Sequence, residues 1–196
     1  MDWSHTIDID GDTLICRPLT WTRFPDLDAI MGEKAVTRKC FCMHWRRPDG
    51  GYRDDRDSRA RFAERVGEDR PPGLVGYIGD DPVGWVQVGP RQEFPTIYRS
   101  RLLKPADDVE AWTVNCFVVR SNFRRRGVGQ ALLDAAIAFA ASQGASVVEA
   151  YPVDGERASV VDYYTGTLGM FARRGFEEIE RRNETRPIVR LKLDSS

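Results

Sequence analysis

The stretch from Trp112 to Gln143 constrains this chain most: an apolar extended run, a basic turn, two glycines and an alanine-rich helix follow one another. Trp112–Val119 is rich in β-branched and aromatic residues and has strand length. Gln130–Gln143 is built largely from Ala and Leu, which favour helix, and Gly144 supplies the stop. Between them, the turn Arg120–Arg126 leads into Gly127-Val128-Gly129. The first N–H groups of a helix have no partner inside it and carry partial positive charge. Glycine there lets an anion approach the backbone closely, and neighbouring arginines add charge-assisted bonds. The whole unit therefore reads as a cradle for a pyrophosphate. The plainer alternatives are a solvated surface turn for Arg124, Arg125 and Arg126, and tight packing for Gly127 and Gly129.

Two other phosphate loops compete for the same residues. A Walker loop requires Gly-Lys-Ser/Thr, and none follows. The dinucleotide fingerprint requires Gly or Ala three residues after the second glycine. Leu132 stands there, and no early strand–helix unit precedes it. Both are excluded.

The remaining chain surrounds this unit with alternating strands and helices. Strands are predicted at Thr13–Leu19, Leu74–Ile78, Val83–Val88, Ser146–Tyr151, Phe176–Arg182 and Pro187–Leu193, with Gly79-Asp80-Asp81-Pro82 as a hairpin turn. Helices are predicted at Pro25–Met31, over the charged run Arg53–Arg70, and in part of Ser159–Arg174. Lys39–Trp45 is an extended candidate ended by Pro48-Asp49-Gly50-Gly51. Residues 90–110 are a long polar connection, of a length that often borders a binding site. At 196 residues the chain fits one domain, and 41% apolar content is too high for a disordered one. The longest apolar stretch, Ala131–Ala141, is too short to cross a bilayer and carries Asp134, so no membrane partner is expected. A net charge of -1 argues against nucleic-acid binding through the Arg124–Arg126 run. Cys16, Cys40, Cys42 and Cys116 form no dense disulfide framework, and no secretory signal opens the chain, so a cytoplasmic protein with reduced thiols is expected.

These features, in this order and spacing, resemble the GCN5-related N-acetyltransferase (GNAT) superfamily. Its signature, Arg/Gln-x-x-Gly-x-Gly/Ala between the fourth strand and third helix, is matched by Arg124-x-x-Gly127-x-Gly129. The likeness runs from about Leu14 to Leu193 and takes in Val83-Gly84-Trp85, Val147–Tyr151 and Phe171–Phe176. It implies an α/β (α+β) fold with a mixed, mostly antiparallel sheet of about seven strands, flanked by helices and splayed between strands four and five. One domain over residues 1–196 is expected, elaborated on the acceptor side at about 33–72. The resemblance further implies acetyl-CoA as co-substrate and direct transfer to a primary amine of a small molecule or peptide. Backbone amides of Arg125, Arg126, Gly127, Val128, Gly129 and Gln130 would hold the pyrophosphate beside Arg124, and Phe117, Val118 and Val119 would pair with the pantetheine arm. Relatives are often dimers, which leaves a homodimer as an open expectation.

The amine must lose a proton, and the departing thiolate benefits from a donor. In many relatives the donor is a tyrosine five residues before the Gly-Phe phenylalanine; here that position is Phe171, which cannot donate. Tyr164 and Tyr163 are the substitutes, with aromatic packing as the plain alternative. No carboxylate lies on Trp112–Phe117, so the base candidates are Asn115 or Thr113 positioning a water, and Glu110, Glu149 or Asp154 at strand ends. Cys116 suggests a ping-pong acyl-enzyme, against a buried strand cysteine. Cys40, Cys42 and His44 alternate onto one face of the expected strand, but residues two apart splay by about 6.5 Å and no fourth ligand is evident, so no metal is expected. His44 and Trp45 are instead expected to line the acceptor pocket. The alternative function is an acyl-CoA-binding sensor of the same fold with little turnover.

Overall fold

In the computed structural model, which describes residues 2–47, 55–155 and 162–193, the chain opens with a hairpin of β1 (His5–Ile9) and β2 (Asp12–Pro18). Asp10 and Gly11 turn it with left-handed φ values of 45° and 85°, the geometry a two-residue hairpin loop requires. Pro25 sits in the first turn of α1 (Phe24–Gly32), which buries Phe24, Leu27, Ile30 and Met31 at helical spacing. Then come α2 (Ala35–Cys40), α3 (Asp55–Val66), β3 (Gly73–Ile78) and β4 (Asp81–Pro90). The second half holds α4 (Pro95–Arg99), β5 (Trp112–Val119), α5 (Val128–Ser142), β6 (Val147–Ala150), α6 (Leu168–Ala172), β7 (Glu177–Arg181) and β8 (Pro187–Lys192).

One mixed sheet runs β1-β2-β3-β4-β5-β6-β8-β7. Every neighbouring pair is antiparallel except β5 and β6. That parallel pair joins only Trp112–Val114 to Val148–Ala150, so β6 stops beside the first half of β5 and the second half has no partner on that side. On its other side β5 pairs with β4 along its length, broken by one bulge where Asn115 is the extra residue between Val88↔Val114 and Gln87↔Cys116. Two cores cover the two faces. α5 lays Leu132, Leu133, Ala136 and Phe139 against one, with Leu74, Val86 and Val114. α1 and α3 cover the other, where Leu27, Met31 and Phe62 pack with Val75, Trp85 and Cys116.

Three expectations are corrected. The sheet has eight strands rather than about seven, because β1 adds an edge the sequence reading passed over. Lys39–Trp45 is no strand: α2 ends at Cys40, and Phe41 and Cys42 take left-handed φ of 43° and 53°. That curl buries Phe41, Cys42, Met43 and Trp45 together, which a strand with alternating faces would not do. The 90–110 connection is not all loop, since it contains α4. Pro48-Asp49-Gly50-Gly51, the first residues of the Arg53–Arg70 helix and the start of Ser159–Arg174 lie outside the described residues.

Candidate active site

The turn before α5 has the local conformation that an anion cradle demands. Arg125 and Gly127 both take left-handed φ, 60° and 78°, and Gly127 caps the helix. The first intrahelical bond runs from the Ala131 amide to the Gly127 carbonyl at 3.0 Å, leaving the amides of Val128, Gly129 and Gln130 without a helical carbonyl. Gly127 is set by its φ. Gly129 is not: a Cβ there meets nothing nearer than Met170 Sδ at 3.9 Å, so protein packing makes no demand for glycine. What the missing side chain does is leave open a groove of about 410 Å³ lined by Phe117, Val119, Arg124, Gly129, Tyr163 and Tyr164, with Met170 and Thr167 on α6's side. An elongated thioester carrier with a diphosphate fits this donor set, which joins helix amides, an arginine and an unpaired strand edge.

The three arginines have different tasks. Arg124 donates from Nε to the Val119 carbonyl at 2.9 Å, which fastens the turn to the end of β5. Arg126 pairs with Asp12 of β2 and lies 5.5 Å from the Phe123 ring. Arg125 is exposed. Gln130 bonds the Met170 carbonyl at 3.3 Å and accepts from Arg173 Nε at 3.1 Å, tying α5 to α6.

A second, apolar cavity of about 320 Å³ lies on the opposite face of β5. Alternation along the strand makes the partition: Phe117 and Val119 point into the groove, Cys116 and Val118 into the cavity. Tyr164 lines both. His44 and Trp45 line the cavity with Cys40 and Cys42, and the 90–110 connection contributes Ser100, Leu102 and Leu103. The lining residues from that connection, Arg186 beyond β7, and Val36, Thr37 and Thr165 are not singled out by the sequence; the length of the connection and the expected elaboration over 33–72 were the signals. Burial and the Arg186 charge hold the His44 pKa below its usual 6.5. The Cys42 thiol points at Cys116 Sγ, 3.6 Å away, and burial pushes its pKa well above the usual value. Among the described residues no group of His, Cys, Asp and Glu is arranged to hold a metal.

Phe171 is fully buried, edge-on to Phe176 at 5.1 Å and Phe117 at 6.1 Å, and lines neither cavity. The chain carrying Tyr164 passes directly over it: a Cβ on Gly166, whose φ is 79°, would stand 2.8 Å from the Phe171 ring. That close crossing brings the 3-10 turn Asp162–Thr165 down onto the gap beside β5. Tyr163 lines the groove alone and is 43% exposed, so of the two tyrosines only Tyr164 faces both compartments. Burial raises the Tyr164 pKa, against the lowering effect of Arg124, and the phenol stays protonated at neutral pH.

The remaining base candidates lie elsewhere. Asn115 is sealed at the bulge, lines neither cavity, and its amide atoms have no hydrogen-bond partner among the described residues. Thr113 is equally buried. Glu149 is clasped by Arg91 at 2.8 Å and Arg190 at 2.6 Å, and Asp154 by Arg181 at 2.8 Å. Glu110 stands before the far end of β5.

A mostly antiparallel sheet that opens beside a Gly-x-Gly helix N-terminus defines the acetyltransferase fold as the class. The family model "Acetyltransferase (GNAT) family" matches residues 40–176, and the chain belongs to that family. The fold is similar to the GNAT domain of S. lividans PAT, with TM-score 0.62, 19% identity and 97% of each chain covered. It is also similar to a GNAT-family acetyltransferase from Listeria monocytogenes 4b F2365, with TM-score 0.63, 11% identity, and 96% of this chain and 100% of that one covered. The NatC complex bound to Gag peptide and CoA holds a chain with TM-score 0.52 and 12% identity, covering 92% of this chain and 99% of that one. No curated protein matches. Family membership indicates acetyltransferase activity in general, with acetyl-CoA the typical donor.

Proposed function

We propose that this protein is an acetyl-CoA-dependent N-acetyltransferase that passes the acetyl group directly to a primary amine of a small molecule or peptide. One observation carries the reading: the groove and the cavity lie on opposite faces of the unpartnered half of β5 and meet at Tyr164. The amides of Arg125–Gln130 hold the diphosphate, and the backbone of Phe117, Val118 and Val119 pairs with the pantetheine arm as an added strand would. The thioester then lies at the meeting point. An amine in the cavity attacks the carbonyl carbon, the C–S bond breaks, and Tyr164 protonates the departing sulfur. Residues 33–72 elaborate the acceptor side of one domain, since α2 and the Cys40–Trp45 curl build the cavity wall.

Phe171 supports the second reading, an acyl-CoA sensor with little turnover, because the usual donor position holds a buried hydrocarbon ring. Thiol release from acetyl-CoA across a panel of primary amines separates the two. An enzyme releases thiol in proportion to amine; a sensor gains thermal stability from acetyl-CoA and releases none.

A further inference from the structure

Six titratable side chains are among the described lining of the acceptor-side cavity: Cys40, Cys42, His44, Cys116, Tyr164 and Arg186. None is a carboxylate. Arginine stays cationic and has no lone pair to offer, and thiols and phenols are ordinarily protonated at neutral pH. Burial strengthens that tendency for Cys42 and Tyr164. A neutral imidazole, by contrast, always presents one ring nitrogen as acceptor. The His44 ring stands edge-on to Trp45 at 5.2 Å, and its backbone carbonyl accepts from Thr96 Oγ1 at 2.8 Å, so α4 fixes the segment that carries it. The groups sharing the cavity with it are Arg186 from the β7–β8 connection, Tyr164 from the 3-10 turn, Cys40 from α2, Cys42 from the curl after it and Cys116 from β5. Arg186 is held by the Tyr151 carbonyl at 3.3 Å and Thr165 Oγ1 at 2.8 Å, and with burial it keeps His44 below its usual pKa, hence neutral. The remaining wall is apolar, including Met31, Val36, Leu102, Leu103 and Val118. An ammonium entering it sheds water and meets no carboxylate among the described residues, which favours the neutral amine.

We infer that His44 accepts the amine proton and that the acceptor is a small primary amine with an uncharged, apolar body, an assignment that rests on the acetyl-transfer reading above. The amine gives up its ammonium proton to water on entering the cavity. Its lone pair then forms the C–N bond, the C–S electron pair leaves on sulfur, His44 takes the proton displaced from nitrogen, and Tyr164 gives one to sulfur. The imidazolium proton returns through solvent to the tyrosine phenolate, and the sum is amide plus free thiol.

The test is thiol release from acetyl-CoA by wild type and His44→Gln, with 2-phenylethylamine as acceptor and spermidine as charged contrast. The wild type is expected to favour 2-phenylethylamine by about tenfold or more in kcat/KM. His44→Gln is expected to lose about 10²–10⁴-fold in kcat, with acetyl-CoA affinity and unfolding midpoint unchanged. Its kcat is also expected to lose the acid-side fall that His44 would give the wild type below pH 6.5, and added imidazole to restore part of the rate. A folded variant that keeps that acid limb overturns the inference, and His44→Asn answers the question if the glutamine variant does not fold. Preference for spermidine, or no turnover of 2-phenylethylamine by a protein that binds acetyl-CoA, also overturns it and leaves the cofactor groove standing. Absence of acetyl-CoA binding in the wild type removes the underlying reading instead.

Discussion

At the scale of single residues, two positions carry the proposed chemistry by what they lack. Gly129 faces the groove with no protein neighbour within ordinary contact of its missing Cβ except Met170 Sδ, so its substitution tests ligand binding without a packing penalty. Gly129→Asp places a carboxylate where the diphosphate is proposed to sit. Acetyl-CoA affinity, by titration calorimetry, is expected to fall by about 100-fold or more, on the order of a lost charge-assisted bond plus like-charge repulsion. Unfolding in urea should change little, and unchanged affinity would remove the cradle from this turn. Tyr164 is proposed to supply the hydroxyl that Phe171 cannot provide. Tyr164→Phe is expected to lower kcat by about 10²–10⁴-fold while acetyl-CoA affinity holds, and Tyr163→Phe to cost no more than a few-fold. The sign of the pH effect follows from the raised Tyr164 pKa: the donor is present below it, so any basic loss of rate through this group begins above its ordinary value of 10.

At the scale of elements, β6 is held beside the start of β5 by a charged clasp. Glu149 of β6 is fully buried between Arg91, after β4, and Arg190 of β8, and Arg190 reaches on to Asp107 at 2.7 Å. Arg91 also donates to the Val109 carbonyl at 2.6 Å, so one carboxylate anchors β6, β8 and the segment leading into β5. Glu149→Ala leaves two arginines facing a void, and the expected loss is about 3–5 kcal/mol in urea unfolding. A loss below about 1 kcal/mol would mean the clasp is solvated. This clasp was invisible in the sequence, where Glu149 reads as a base candidate at a strand end and its partners lie 58 and 41 residues away. What was legible was local. β5 matches its expected bounds, and α5 begins within two residues of its expected start, because β-branched content and the alanine run state their own geometry. β1 was missed as a half-exposed edge strand with acids interleaved, although Asp10-Gly11 is a hairpin turn signal. Lys39–Trp45 departs from a strand because its aromatics serve a shared core rather than a pleat, and residues 90–110 hold more than a polar connection because Pro95 starts α4.

At the scale of the whole molecule, one partly buried carboxylate ties the cavity wall and α3 to the end of β4, and this joint sets an acid limit on the fold. Glu93, just after β4, accepts from Arg46 at 2.9 Å and Arg70 at 3.0 Å and pairs with Arg65 of α3. Arg46 also lies over the Phe94 ring at 4.4 Å and sits two residues from His44, so the hub fixes the cavity wall, α3 and the end of β4 together. Burial alone would raise the Glu93 pKa, but hydrogen bonds from Arg46 and Arg65 outweigh it and hold the carboxyl below its usual 4.5. A folded-state pKa below the unfolded one means protons favour the unfolded chain. The stabilisation is therefore complete above about pH 4.5 and is lost as pH falls through the folded value. Glu93→Gln is expected to be less stable than wild type by about 1–3 kcal/mol at neutral pH, between an exposed and a fully buried ion pair. Because the variant has no carboxyl to protonate, the gap should narrow steadily between about pH 5 and pH 3 in urea titrations, wild type falling toward the variant. A gap that stays constant over that range would show that Glu93 acts through packing and not charge. With 29 basic and 30 acidic side chains the chain has no net field to unfold it at neutral pH, so its acid sensitivity is concentrated in paired carboxylates such as this one.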